Sequence, residues 1–488
     1  CTGLTSVTVL AGARFTQNTF AGCTSLTSIS IPESMTEIPH GSFKGCTGLT
    51  SVTIPKSVTK IANFAFSGCT SLTGVTIPDS VTSVGHRAFE ECSGLTNVHI
   101  PDSVVSIGTY AFYRCSGLKS IHLPEGITSI GVNTFFECAS LESVTIPDGV
   151  TSIDGAAFYG CAGMVNVHIP EGVASIAGGA FANCSSLKSV TIPETVTSIG
   201  SSAFSGCTAL TSVNIPEGIA SIESGTFEDC SSLVSVSIPE TVESIGSAAF
   251  KGCTNLTSIG VLENVASIGY AAFRNCSSLK SVTISGNVTV IEQGTFYNCT
   301  SLESVELPDG LLSISDAVSY EGAFENCSSL KSIVIPDSVT SIGNKAFYGC
   351  RSLTNVTIPE GVTSISDSVF SGCSGLTSVS IPESVTGIGD FAFSGCSSLT
   401  GITVPKNVTS IGRNAFYGCS GLTGFCVPSG ITNLPDQMLF NCSGLKTVYI
   451  PDTVTSIGEN ALYGNSALTD IYFGGDEAAW NSIQVTGY

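Results

Sequence analysis

One short pattern recurs along nearly the whole chain. Cysteine returns every 23 residues from Cys23 to Cys299, and again from Cys327 to Cys442. The single long interval, between Cys299 and Cys327, is 28 residues, and at Asn465 the pattern continues without its cysteine. Length alone would suggest about three globular domains. A period this regular instead predicts a stack of similar repeats, about twenty in number.

The spacing inside one repeat predicts what it folds into, and residues 184–206 show it clearly. Residues 189–192 alternate polar and apolar side chains, which indicates a short strand. Pro193 ends that strand because proline cannot donate to a sheet ladder. Residues 196–199 alternate again and predict a second short strand, and residues 203–207 (Ala-Phe-Ser-Gly-Cys) predict a single helical turn.

A repeat this short cannot bury a core alone, so we expect neighbouring repeats to share one and to extend each other's strands. The predicted fold is therefore a mostly β repeat solenoid with short parallel strands and single helical turns. We assign residues 1–464 to the solenoid, with an insertion at 315–322, and residues 465–488 to a closing repeat or cap. With the cysteine as position 1, position 21 carries a phenylalanine that we expect to form a stacked core column: Phe43, Phe66, Phe89, Phe112, Phe135, Phe158 and Phe181, continuing to Phe416.

Charge excludes several kinds of partner. Only 11% of residues are charged, yet the net charge is −21. Such a chain should repel nucleic acid and anionic membrane surfaces. No apolar run approaches the roughly 20 residues that a spanning helix needs. The chain begins inside a repeat at Cys1, and we expect it to be a mature or excised fragment, so a sorting signal cannot be judged.

The 21 cysteines have three readings. No CxxC or CxxH pair is present, which disfavours zinc. Parallel, identical cysteines on neighbouring repeats do not readily reach disulfide geometry. We therefore favour reduced thiols packed as small apolar groups, over scattered disulfides or a metal. Cys426 falls at an outward strand position, and we expect it to be exposed and reactive.

The pattern LxxVxIPxxVxxIGxxAFxxC, repeated along the chain, resembles the BspA-like, spirochaete-type class of leucine-rich repeats. Residues 471–475 and 480–483 resemble the piece that often closes such arrays in gut bacteria. The resemblance implies a right-handed leucine-rich-repeat coil. It also implies a secreted or surface-attached adhesion protein. The chain departs from the pattern at these places: Leu10, Leu262 and Ser285, which replace the turn proline, and the stretch 315–322.

Two outward rows are candidate sites. Strand position 8 carries His99 and His122 on adjacent repeats and His168 two repeats farther on. They are read either as ordinary exposed histidines or as a two-histidine metal or pH-sensitive patch, because His168 lies too far away to join one ion. An acidic residue follows most turn prolines. It is read as turn chemistry and solubility, or as a weak Ca²⁺-binding ridge.

Positions 18, 19 and 22 vary most between repeats and often carry aromatic residues. This pattern is typical of free drift, but exposed tyrosine and arginine are also common interface anchors. The 315–322 insertion lies on the same edge. The candidate binding residues there are Tyr110, Tyr113, Tyr159, Tyr320, Tyr348 and Tyr417.

No nucleophile elbow, phosphate loop, HExxH or dinucleotide fingerprint is present, so we predict no enzyme activity, no cofactor and no metal. The predicted function is an extracellular or cell-surface recognition and adhesion domain. It is expected to be a monomer that binds a protein or carbohydrate partner. The alternatives are a structural spacer that presents another module and a weak Ca²⁺-binding scaffold.

Overall fold

The computed structural model describes residues 1–315 and 321–486. The chain divides into two compact units, Cys1–Thr241 and Val242–Tyr488, which are described separately below. Tyr320, and the rest of the insertion except Ser315, Glu321 and Gly322, lie outside the described residues. In both units each repeat forms one coil that carries one or two short strands, so the predicted parallel-strand solenoid is confirmed.

In the first unit the strands alternate between two faces of the coil. Strands from successive coils form a ten-stranded parallel sheet in the order β1-β2-β4-β6-β8-β10-β12-β14-β16-β18, which we call the main sheet. On the other face lie the four-stranded sheets β3-β5-β7-β9 and β11-β13-β15-β17. The strand bounds are β1 Ser6–Thr8, β2 Ser28–Ser30, β3 Glu37–Ile38, β4 Ser51–Thr53, β5 Lys60–Ile61, β6 Gly74–Thr76, β7 Ser83–Val84, β8 Asn97–His99, β9 Ser106–Ile107, β10 Ser120–His122, β11 Ser129–Ile130, β12 Ser143–Thr145, β13 Ser152–Ile153, β14 Asn166–His168, β15 Ser175–Ile176, β16 Ser189–Thr191, β17 Ser198–Ile199, β18 Ser212–Val213 and β19 Ser221–Ile222.

The second unit repeats this plan with shorter sheets. The main-sheet face carries β21-β23-β25, β28-β30 and β33-β35-β37, and the other face includes β24-β26-β27, β29-β31-β32 and β34-β36-β38. Its elements are β20 Ser244–Ile245, β21 Val261–Leu262, β22 Ser267–Ile268, β23 Ser281–Ile284, β24 Val290–Ile291, β25 Ser304–Glu306, β26 Ser313–Ile314, β27 Ser341–Ile342, β28 Asn355–Thr357, β29 Ser364–Ile365, β30 Ser378–Ser380, β31 Gly387–Ile388, β32 Ser410–Ile411, β33 Gly424–Cys426, β34 Asn433–Leu434, β35 Thr447–Ile450, β36 Ser456–Ile457, β37 Asp470–Phe473, α1 Glu477–Ser482 and β38 Gln484–Val485.

Register keeps equivalent positions side by side. Ser51 pairs with Gly74 and Val52 with Val75, an offset of 23 residues. The alternating pattern therefore places each Val or Ile of position 7 beneath the sheet and each Ser, Thr or Asn of positions 6 and 8 above it. Val52 is 7% exposed, while its neighbours Ser51 and Thr53 are exposed.

The core contains the predicted phenylalanine column. In the first unit successive rings from Phe20 to Phe227 lie 5.2 to 5.7 Å apart, centroid to centroid, with interplanar angles of 5 to 11°. In the second unit the column runs from Phe250 to Phe416 with the same spacing. The stack is confirmed as a buried structural element, since Phe43 and its equivalents are fully buried.

The segment leading into each cysteine differs from the single helical turn that the sequence predicted. Phe64 and Gly68, four residues apart, have left-handed φ values of 57° and 75°. A helix needs right-handed residues throughout, so these residues prevent one. The N–H of Phe66 instead donates to the carbonyl of Ala88 in the next coil, at 2.8 Å. Among the described residues the only α-helix is α1, where the Asp476 side chain caps the helix by accepting from the Ala479 N–H.

The buried cysteines have a hydrogen-bonding role that the sequence did not reveal. The Sγ of Cys69 donates to the carbonyl of Phe43 in the preceding coil, at 3.2 Å. That carbonyl also accepts the N–H of Cys46, at 3.1 Å. All 21 cysteines are free, and all are buried except Cys1 and Cys426, as expected for Cys426. The thiol is therefore a small core group that also satisfies a main-chain carbonyl between coils.

We predict that Phe158→Ala will lower the free energy of unfolding by about 3–5 kcal/mol, because a fully buried ring is lost from the column. Thr191→Ala, at an exposed position 8, should change it by no more than about 0.5 kcal/mol. Urea unfolding followed by circular dichroism measures both. Equal effects of the two substitutions would contradict the proposed role of the column.

We also predict alkaline sensitivity. Burial raises the pKa of Cys207 and Cys299 to about 12, whereas an unfolded thiol titrates near 8.5. Each buried thiol therefore stabilises the fold fully below about pH 8.5. That contribution is lost at about 1.4 kcal/mol per pH unit as the pH rises toward 12. The midpoint of urea unfolding should fall steeply above pH 9.

The control for the alkaline effect is the double variant with Cys207→Ala and Cys299→Ala, measured at pH 8 and pH 10. It should lose less stability between the two pH values than the parent chain does, whatever its stability at pH 8. An identical loss in the two proteins would show that these thiols do not carry the alkaline sensitivity.

Candidate binding surfaces

The main-sheet face of the first unit presents hydroxyl groups that the fold does not use. At position 5, Thr50 Oγ1 donates to the carbonyl of Thr27 in the preceding coil, at 3.1 Å, and thus belongs to the coil-to-coil ladder. Ser51 and Thr53, at positions 6 and 8, make no side-chain hydrogen bond within the described residues. The face therefore offers hydroxyls to water or to a ligand, and both readings of it remain open.

The structure brings two of the three histidines together. His99 and His122 are paired on β8 and β10, and their ring centroids lie 5.2 Å apart with an interplanar angle of 19°. The Asp102 Oδ1 atom lies 3.8 Å from His122 Nε2, a neighbour that the sequence analysis did not consider. His168 pairs with Thr145 on the next strand and lies outside this cluster.

The acidic row is exposed and partly engaged by the backbone. The N–H of Glu217 donates to the Glu194 carboxylate of the preceding coil, at 3.1 Å. The N–H of Glu125 does the same with Asp102, at 3.4 Å. These contacts support turn chemistry as one function of the row. Within residues 1–315 and 321–486, no group of three or more His, Cys, Asp or Glu side chains could hold a metal ion.

Aromatic rings of the first unit form a continuous surface along the turn edge. Tyr113 stacks on Phe136 with centroids 5.0 Å apart, and Phe136 stacks on Tyr159 at 4.5 Å with an angle of 4°. Tyr110 joins this line through Tyr113, at 5.5 Å. All four rings are partly exposed, so they form one apolar surface at the solvent boundary.

A second line of rings continues from Tyr110 toward earlier coils. His86 lies edge-on to Tyr110 at 5.5 Å and to Phe64 at 5.6 Å, and Phe64 contacts His40 at 5.4 Å. We call the combined surface the aromatic edge. Its ring members are His40, Phe64, His86, Tyr110, Tyr113, Phe136 and Tyr159.

Two arginines lie over the aromatic edge. The Arg87 guanidinium is 4.5 Å from the Tyr110 ring centroid, and that of Arg114 is 5.1 Å from Tyr113. Arg114 Nε also donates to Glu137 at 2.7 Å, and this hydrogen bond and charge raise the pKa of the guanidinium above its ordinary value. The arginines are thus oriented across the rings by cation–π contacts and by ion pairs.

The candidate tyrosines of the second unit are dispersed. Tyr417 stacks on Phe440 at 5.3 Å, and Phe440 stacks on Tyr463 at 5.3 Å. Tyr348 is 37% exposed and packs against no other aromatic ring among the described residues. The sequence analysis missed Phe440 and Tyr463, although both follow Tyr417 at the 23-residue offset that marks position-22 neighbours.

Beside the insertion, Glu321 reaches two coils back. Its carboxylate forms an ion pair with Arg274 and accepts from the Tyr270 hydroxyl at 3.3 Å. Nearby, the Glu325 carboxylate accepts the N–H of Gly322 at 3.0 Å, and burial raises the pKa of Glu325. These contacts hold the end of the insertion against the turn edge of its own unit.

Short parallel strands, a buried Leu/Val/Ile/Phe interior and an exposed turn edge define a leucine-rich-repeat solenoid. The family model described as "BspA type Leucine rich repeat region (6 copies)" matches residues 13–139, 105–234, 220–321, 319–412 and 363–479. The chain belongs to this family. A search of curated proteins found no match.

Several solved structures are similar to this chain. A leucine-rich repeat protein from Bacteroides ovatus is 24% identical over 96% of this chain and 92% of its own, with a TM-score of 0.43. A leucine rich cell surface protein from Faecalibacterium prausnitzii is 27% identical over 85% and 91%, with a TM-score of 0.35. The leucine-rich repeat protein of T. pallidum is 29% identical over 42% and 78%, with a TM-score of 0.25.

Family membership supports a coarse description of what the chain does. It is a BspA-type repeat protein, and its solenoid fold is typical of non-catalytic scaffolds that bind proteins. Proteins of this type are typically found at the cell surface. Within the part of the chain that the structure describes, no helix has the length and apolar character needed to cross a bilayer.

For the histidine pair we predict no saturable heat in a calorimetric titration with Zn²⁺, because two imidazoles without a third ligand fall short of a zinc site. His99→Asn is the matched variant and should behave as the parent chain does. Saturable binding by the parent that disappears in His99→Asn would contradict this prediction and restore the metal reading.

Proposed function

We propose that this chain is an extracellular or cell-surface recognition domain that binds a protein partner through the aromatic edge of its first unit. The observation that carries the proposal is the continuous run of partly exposed rings crossed by Arg87 and Arg114. Tyrosine and arginine are enriched among the residues that dominate binding energy at protein interfaces. Membership in a family typically found at the cell surface supports the location.

The arrangement of the rings favours a protein over a sugar at this edge. Phe136 is stacked between Tyr113 and Tyr159, so its two faces are occupied by neighbouring rings. The faces of Tyr110 and Tyr113 are approached by guanidinium groups. Ring edges, hydroxyls and arginine N–H groups are therefore what the surface offers, and these suit peptide groups and carboxylates.

Binding to a panel of cell surfaces and purified matrix proteins tests the proposal. The test variant combines Tyr110→Ala, Arg114→Ala and Tyr159→Ala. Its matched control combines Tyr348→Ala and Tyr417→Ala in the second unit. The test variant should bind at least 30-fold more weakly, because loss of a dominant interface residue costs about 2 kcal/mol or more. The control should bind as the parent chain does.

The main rival is a structural spacer that only holds another module at a distance. A spacer would bind nothing in the panel, and all three proteins would then give the same background signal. Binding that the edge substitutions leave unchanged would also refute the aromatic edge as the interface. Circular dichroism of each variant checks folding, since the substituted side chains are all at least partly exposed.

A further inference from the structure

The main-sheet face of the second unit has a shallow depression where the repeat pattern is locally broken. Two successive coils carry glycine at outward position 6, Gly401 and Gly424. A Cβ at Gly401 would have no atom within 4 Å, so the glycine is not required by close packing. The missing side chains leave open space bordered by Thr403, Cys426, Tyr449 and Tyr472.

The strand ladder is also open at this place. Strands β30 and β33 flank residues 401–404, which form no strand of their own. Among the described residues no main-chain hydrogen bond joins residues 401–404 to another main-chain group. Ile402 beside the opening is only half-buried, whereas its equivalent Val448 is fully buried. Main-chain donors and acceptors are therefore within reach of a small polar ligand.

Two tyrosines stand beside the depression with their ring faces free. Tyr449 and Tyr472 are paired in register on β35 and β37 and are 44% and 57% exposed. Neither packs against another aromatic ring among the described residues, in contrast to Tyr113 on the aromatic edge. A free ring face is electron-rich and attracts weakly positive C–H groups.

The lining carries no charge. Its polar groups are threonine and tyrosine hydroxyls and exposed main chain, although the whole chain has a net charge of −21. Thr403 and Thr447 make no side-chain hydrogen bonds within the described residues, so their hydroxyls are available. A neutral lining with convergent hydroxyls and open ring faces suits a ligand that is itself neutral and rich in hydroxyls.

We infer that this depression binds a neutral saccharide. One face of a sugar ring packs on Tyr449 or Tyr472, and the sugar hydroxyls bond to Thr403, Thr447 and the main chain of residues 401–403. An extended peptide is the weaker alternative, because it would have to add a strand in the plane of the sheet. Coils on both sides of residues 401–404 already occupy that plane.

The test uses the full chain and calorimetric titration with neutral hexasaccharides of β-linked glucose, α-linked glucose, xylose and mannose. Gly401→Leu places a side chain into the open space without a clash at Cβ. Gly74→Leu is the matched control, since Gly74 is also at position 6 with nothing near its Cβ, but lies in the first unit. Tyr449→Ala and Tyr472→Ala remove the ring faces.

At least one hexasaccharide should bind saturably to the parent chain and to Gly74→Leu, and at least 10-fold more weakly to Gly401→Leu and Tyr449→Ala. The bound sugar should also slow alkylation of Cys426 by iodoacetamide in a Cys1→Ser background, because Cys426 is exposed within the depression. This readout does not depend on the heat of binding.

Three results would overturn the inference. They are the absence of saturable binding across the panel, equal binding by Gly401→Leu and Gly74→Leu, and binding of an uncharged Thr- and Val-rich peptide that the same substitutions abolish. The aromatic edge is untouched by these variants. Failure here therefore leaves the proposed protein-binding surface standing, and failure of that surface leaves this site standing.

Discussion

The structure depends on main-chain hydrogen bonds that join each residue to its equivalent 23 positions away. In the main sheet they run between strands, as in the pairing of Val52 with Val75. In the turn segment before each cysteine they run from Phe66 to Ala88, with left-handed residues such as Phe64 and Gly68 orienting the donors along the stack. A coil that slipped by one residue would turn its apolar side chains outward, so the period cannot drift.

This constraint accounts for much of the unusual composition. Threonines such as Thr50 and cysteines such as Cys69 donate to carbonyls of the preceding coil, and thereby satisfy acceptors that the short strands leave open. The phenylalanines occupy the widest part of each coil and stack at nearly constant spacing. Functional variation is thus confined to positions that the ladder does not use: the outward strand positions and the turn edge.

Both proposed surfaces arise where the repeat leaves such freedom. On the aromatic edge, side chains at positions 18, 19 and 22 of successive coils add up to a surface larger than any one repeat could supply. In the second unit, Gly401 and Gly424 do the opposite, because missing side chains open the face beside Tyr449 and Tyr472. A periodic scaffold thus acquires distinct sites through departures from its own pattern, by addition in one unit and by omission in the other.

The sequence by itself determined the coil, its parallel register, the phenylalanine column and the adjacency of His99 and His122, because a fixed 23-residue offset converts sequence spacing directly into spatial neighbours. Tertiary structure alone decided the left-handed residues that replace the predicted helical turn, since φ values are not encoded in polar and apolar spacing. It also decided that Arg114 lies over Tyr113 and that the ladder opens at residues 401–404. These features depend on side-chain rotamers and on local hydrogen-bond geometry, which identical periods permit but do not fix.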